Sequence, residues 1–154
     1  MKRTAVGLAA VAALGIAALI PSVGVSQGER TITLGSHSRS VKLADVAPRG
    51  RVSAGDTVVA INTLTDTGGK RAGTGYLSCG VVKGAHTFET ATYQCAGTEK
   101  LRDGTITYDG VVKLSARVAR AAVTGGTGAY DGASGELVNT TTGPDSSTQV
   151  ITLK

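Results

Sequence analysis

The sequence predicts an all-β domain built from antiparallel strands, and three observations carry that prediction. Short runs of alternating apolar and polar residues recur about every ten residues, each bounded by Gly, Asp or Asn. Beyond residue 26, no stretch carries the 3.6-residue apolar period of a helix. The connections are too short for the crossovers that parallel strands need, so strands adjacent in sequence should pair as antiparallel neighbours.

The runs fall at residues 31–34, 40–46, 57–65, 73–82, 88–96, 104–114, 118–124, 133–142 and 147–154, which gives eight or nine strands. Between them lie residues that favour turns: Thr67-Gly68-Gly69, Lys83-Gly84, Arg102-Asp103-Gly104, Gly125-Gly126 and Gly143-Pro144-Asp145. The segment Gly125-Gly126-Thr127-Gly128-Ala129-Tyr130-Asp131-Gly132-Ala133-Ser134-Gly135-Glu136 is the densest glycine cluster. A phosphate-binding loop would need a helix N-terminus behind it and usually a lysine. Leu137-Val138-Asn139-Thr140-Thr141-Thr142 comes next, a strand-like run, and no lysine occurs before Lys154. The cluster reads as a tight turn with a bulge. No internal repeat or linker divides the chain.

The first residues look like an address label. Lys2 and Arg3 precede an apolar stretch from Ala5 to Ile20, Pro21 ends it, and Gly24 and Ser26 are small residues suited to cleavage before Gln27. Residues 1–26 are therefore expected to be a secretory signal peptide, and the mature protein to be free and extracellular, with no stable membrane anchor. Removing 26 of 154 residues leaves 128, enough for one domain over residues 27–154. The mature balance is 14 basic minus 11 acidic residues, or +3, because Lys2 and Arg3 leave with the signal. Scattered cations, one Phe, four Tyr and no Trp do not make a nucleic-acid surface.

Cys79 and Cys95 are the only cysteines, and an even count in an oxidising compartment reads as one disulfide. Zinc would need three or four ligands, and only His37 and His86 could join the thiols, so no metal is expected. Alternation sorts the strands into faces. Val58, Ala60, Asn62 and Leu64 share one; Gly75, Leu77, Cys79 and Val81 share the next; Ala91, Tyr93 and Cys95 share the third. A Cys79–Cys95 bridge would set Val81 opposite Tyr93 and fix the register of two neighbouring strands. An eight-stranded barrel has room inside for side chains or for one small ligand. Small inward residues of this kind fit either a pocket or a narrow packed interior.

Residues 122–136 resemble the hairpin of the allene oxide cyclase and dirigent barrels, particularly their secreted bacterial members. Upstream, Gly55-Asp56, Asn62-Thr63-Leu64, Arg71-Ala72-Gly73, Cys79, Ala91-Thr92-Tyr93 and Gly104-Thr105-Ile106-Thr107 extend the similarity in order over about residues 55–140. The resemblance implies an eight-stranded antiparallel up-and-down barrel, a homotrimer, and a lumen for a small hydrophobic molecule such as an oxidised lipid or phenolic intermediate. It implies no cofactor, since such barrels work by holding a reactive molecule in one conformation away from water.

On that resemblance Asn62 matches an inward asparagine that holds a water at an epoxide oxygen, and Cys79 matches a pocket-lining cysteine. The first-strand glutamate of the cyclases has no counterpart in residues 31–37, and their serine-proline is replaced by Ser40-Val41. The fold therefore transfers and the plant activity does not. One reading is a cyclase or isomerase in which Asn62 polarises an oxygen and Tyr93 donates a hydrogen bond. Val58, Ala60, Asn62, Leu64, Leu77, Cys79 and Tyr93 would then line the ligand. The alternative is a non-catalytic binding or surface-interaction protein. A hydrolase is disfavoured, because Gly132-Ala133-Ser134-Gly135 lacks the spacing of a nucleophile elbow.

Overall fold

The computed structural model describes residues 28–46 and 50–154; the expected signal peptide lies outside them. Eight antiparallel strands form a closed barrel in sequential order. They are β1 (Arg30–Ala44), β2 (Thr57–Thr65), β3 (Arg71–Lys83), β4 (Thr92–Leu101), β5 (Gly104–Lys113), β6 (Val118–Gly128), β7 (Gly135–Gly143) and β8 (Ser146–Leu153). Closure comes from β1 pairing with β8, from Arg30 opposite Leu153 to His37 opposite Ser146. A closed sheet leaves no exposed edge. Among the described residues no helix is long and apolar enough to cross a membrane.

Three boundaries differ from the sequence expectation. The runs 31–34 and 40–46 are one strand, because Gly35 to Arg39 contain no turn; a register shift between Ser38 and Ser40 lets β1 bend instead. The run 88–96 divides. Phe88–Thr90 is a single 3-10 turn in which Thr90 bonds back to the Thr87 carbonyl through its amide (3.3 Å) and hydroxyl (3.2 Å). Such local bonds compete with a sheet ladder, so β4 begins at Thr92 and runs on to Leu101. The glycine cluster begins inside β6, whose pairing with β5 shifts register between Thr107 and Tyr108. The reversal proper occupies residues 129–134, entered through Gly128 at φ +64°, a conformation that glycine adopts without steric cost.

The β3–β4 register places Cys79 opposite Cys95 and Val81 opposite Tyr93, and the two cysteines are bonded. Connections at residues 66–70, 102–103 and 129–134 close one end, the base; those described at 45–46 and 50–56, at 84–91, 114–117 and 144–145 form the other, the mouth. Toward the base, Leu34, Leu64, Ile106, Tyr108, Val123, Tyr130, Leu137, Ile151 and Leu153 pack into one cluster. Toward the mouth, Val58, Cys79, Val81, Ala91, Tyr93 and Cys95 fill only the β2–β4 side. Each fully buried aliphatic side chain contributes about 1.5–3 kcal/mol, so both clusters hold the wall in register. Asp56 pins the connection after β1, accepting from the amides of Val46 and Ser53 at 2.9 Å each. Those two amides, Ser53 first, hold its carboxyl below the usual aspartate range.

Candidate functional site

The unfilled part of the lumen is a cavity of about 250 Å³ on the β5–β8 side, opening at the mouth beside Leu114 and Pro144–Asp145. Its volume comes from short side chains. β5 contributes Gly110, and β6 turns Ala119 and Ala121 inward, whereas Tyr93 and the disulfide occupy the facing side. Leu77, Val112 and Leu137 complete an apolar wall; Ser36, Ser38, Asn62 and Asn139 add a polar strip. Ser38 Oγ donates to Asn62 Oδ1 at 3.1 Å, so Asn62 can offer a ligand the donors of Nδ2 and the second lone pair of Oδ1. Asn139 opens the sequon Asn139-Thr140-Thr141, and its place on the cavity wall is unsuited to a sugar chain.

Tyr108 and Gln149 lie at the floor, and behind them is Glu99, which is 0% exposed. Glu99 Oε1 accepts from Tyr108 Oη at 3.0 Å and from Gln149 Nε2 at 3.1 Å. Glu99 Oε2 and Gln149 Oε1 are buried without a hydrogen-bond partner. Burial pushes the Glu99 carboxyl above the usual glutamate range, with the two accepted hydrogen bonds pulling the other way. Burial, and then the adjacent Glu99 charge, push the Tyr108 hydroxyl up, so it keeps its proton. Two glycines make room for the pair. A Cβ at Gly97 would strike the Tyr108 ring, and one at Gly75 would lie 2.5 Å from Glu99 Oε2.

Of the residues singled out from sequence, Asn62 and Leu77 line this cavity, as does Cys95 of the disulfide. Val58, Cys79 and Tyr93 are packed together in the mouth-side cluster. The Tyr93 hydroxyl donates to the Phe88 carbonyl at 2.7 Å, and its ring meets that of Phe88 edge-on. Leu64 is buried in the base cluster. Ala60 is half-buried and borders an outer groove with Val59, Ile61 and Tyr76 rather than the cavity. Sequence reading missed Glu99, Tyr108 and Gln149. The signal was present: 93, 95, 97 and 99 share a parity, so extending the Tyr93–Cys95 face by four residues brings Glu99 inside.

Among the described residues no cluster of three or more His, Cys, Asp or Glu is placed to hold a metal. His37 Nδ1 lies 3.1 Å from Ser146 Oγ, but this pair is exposed.

The described residues thus form an eight-stranded closed barrel with a partly apolar lumen and a buried acid beneath its floor. The model for the allene oxide cyclase barrel-like domain matches residues 37–153, and the chain belongs to that family. Among solved structures, pyocyanin demethylase superposes with a TM-score of 0.70 at 25% identity, covering 81% of this chain and 100% of that one. An exo-specific intermolecular Diels-Alderase gives a TM-score of 0.62 at 14% identity, covering 81% of this chain and 97% of its own. A pterocarpan synthase dirigent protein gives 0.62 at 17%, covering 82% and 94%. The last two show likeness of fold alone. No curated protein matches the chain.

Proposed function

We propose that this is a secreted barrel that binds a small hydrophobic molecule in its lumen and directs its cyclisation or isomerisation. The observation that carries the reading is the 250 Å³ cavity, apolar on its β5–β7 wall and polar at its floor. An apolar cavity of about 150 Å³ holds one benzene, and drug-sized pockets start near about 300 Å³, so the ligand is a molecule of one or two rings. Orientation inside a confined cavity lowers a barrier without many catalytic groups. Neighbours named as a pyocyanin demethylase and a Diels-Alderase are in keeping with chemistry on small organic molecules. Asn62 offers Nδ2 donors to a developing oxygen charge.

The second reading, binding without turnover, is favoured by one observation: Cys79 is bonded to Cys95 and Tyr93 is tied to Phe88, so neither is free to react. A panel of epoxide and diene precursors, assayed with wild type and Ala119→Phe, separates the readings. Cyclisation predicts product above the buffer rate in wild type and none in the variant whose lumen is filled. Retained ligand without product supports the carrier. Equal rates in both proteins would refute a lumenal site. Native and denatured mass spectra of the secreted protein test cleavage before Gln27 and the trimer that the resemblance implies.

A further inference from the structure

We infer that the lumen floor is an all-acceptor surface, fixed by Glu99, that selects ligands carrying a hydroxyl or N–H donor at their buried end. This rests on the lumenal function proposed for the barrel and adds the polarity of the ligand.

Counting hydrogens decides the polarity of the floor. Tyr108 has one hydroxyl proton, and it points at Glu99 Oε1 over 3.0 Å. The group Tyr108 can offer the cavity is therefore a lone pair. The Gln149 amide is turned the same way: Nε2 donates to the same Oε1 at 3.1 Å, which directs Gln149 Oε1 away from Glu99. Gln149 is only 4% exposed and lines the cavity, and its Oε1 is buried without a partner, so a ligand donor has to shift the floor side chains slightly to reach it. Both orientations hold whether Glu99 is ionised or carries a proton on Oε2, because Oε1 accepts in either state.

A buried acceptor with nothing to accept from is costly, and native proteins rarely leave one. A ligand O–H or N–H offsets that cost directly. A ligand carbonyl or ether at the same place faces two acceptors and loses its own hydration. Selectivity of this kind comes from the groups left unpaired by the wrong ligand. Gly75 and Gly97 support the assignment as a built feature, since a side chain at either position would displace Glu99 or Tyr108. Glu99 is thus a positioning residue; Tyr108 and Gln149 make the contact.

Three probes of similar shape test this in wild type: 2-naphthol, 2-methylnaphthalene and 2-methoxynaphthalene. They share the ring and differ in offering a donor, neither group, or an acceptor alone. The chain contains no Trp, so naphthalene fluorescence reports binding without a tryptophan background. The expected result is that 2-naphthol binds about tenfold tighter than either of the others, the worth of one hydrogen bond made in a dry site. Glu99→Gln, which keeps an acceptor for Tyr108 and Gln149, retains that ratio. Glu99→Leu, which frees both side chains to rotate, brings it close to one. If the three probes bind wild type equally, or the ether binds best, the acceptor floor is overturned while the lumenal site stands. If none binds, the lumenal function itself fails. An unchanged ratio in a folded Glu99→Leu protein would remove Glu99 from its role.

Discussion

Replacing Glu99 with Gln changes one property of a fully buried group and leaves its geometry in place. The carboxyl accepts two hydrogen bonds at Oε1, from Tyr108 and Gln149, and none at Oε2. A carboxamide can accept the same two bonds and carries no charge. Burial raises the Glu99 pKa above the ordinary glutamate value of 4.5, so between the unfolded and folded values the native state binds more protons than the unfolded chain. The associated stability is fully present below the unfolded value and is lost as pH rises through the raised native value. The loss runs at no more than about 1.4 kcal/mol per pH unit for one proton. For a domain of this size that corresponds to about 4–6 °C in Tm per pH unit. Thermal unfolding of both proteins by circular dichroism, from about pH 3.5 to about pH 8, reads this directly. Other titrating groups, Asp56 included, contribute equally to both and cancel in the difference. The expected result is equal Tm at the acid end and a growing advantage for Glu99→Gln above it, levelling off once the native carboxyl is ionised. Parallel profiles, or a variant less stable at neutral pH, would refute the claim that Glu99 is buried at an energetic cost.

The packing leads to three further expected outcomes. Replacing both Cys79 and Cys95 with Ala opens a link of sequence separation 16, and urea unfolding should show a loss of about 3 kcal/mol. Ile106→Ala, at a position with no exposure in the base cluster, should cost about 2–5 kcal/mol in the same assay. Asp56→Asn removes a carboxylate held below its usual range by the Ser53 and Val46 amides. Its stabilising contribution is present above the ordinary aspartate value and lost as pH falls through the lowered one. The variant should therefore be less stable than wild type at neutral pH, and the gap should narrow in acid.

Much of the wall was legible in the sequence, because period-2 alternation is a local signal and the cysteines add one long-range constraint. Bounds of β2 agree at both ends, and the pairing of Val81 with Tyr93 comes with setting Cys79 opposite Cys95. The lumen was less legible. Which inward residues face empty space depends on the side chains that stand across the barrel. Tyr93 looked like a lumenal donor from its own strand, yet the nearby Phe88 carbonyl takes its hydroxyl. Glu99 lies beyond the run 88–96 and close to the charged Arg102-Asp103 turn, where an acid is usually solvated. Its burial depends on Tyr108 from β5 and Gln149 from β8, 50 residues away in sequence from the latter. No window along one strand contains that information. β1 shows the converse: Gly35 looked like a boundary, and the bulge that carries the strand past it is visible only in the pairing with β2.

The central claim is that the lumen, rather than the outer wall, takes the ligand. Backbone amide chemical shifts of the labelled protein, followed during titration with 2-naphthol, test it most directly. Lumenal binding predicts saturable shifts at Ala121, Leu137, Asn139 and Gln149, which line the cavity, and their loss in Ala119→Phe. Shifts confined to Val59, Ile61 and Tyr76 on the outer groove, or unchanged in the filled variant, would contradict it.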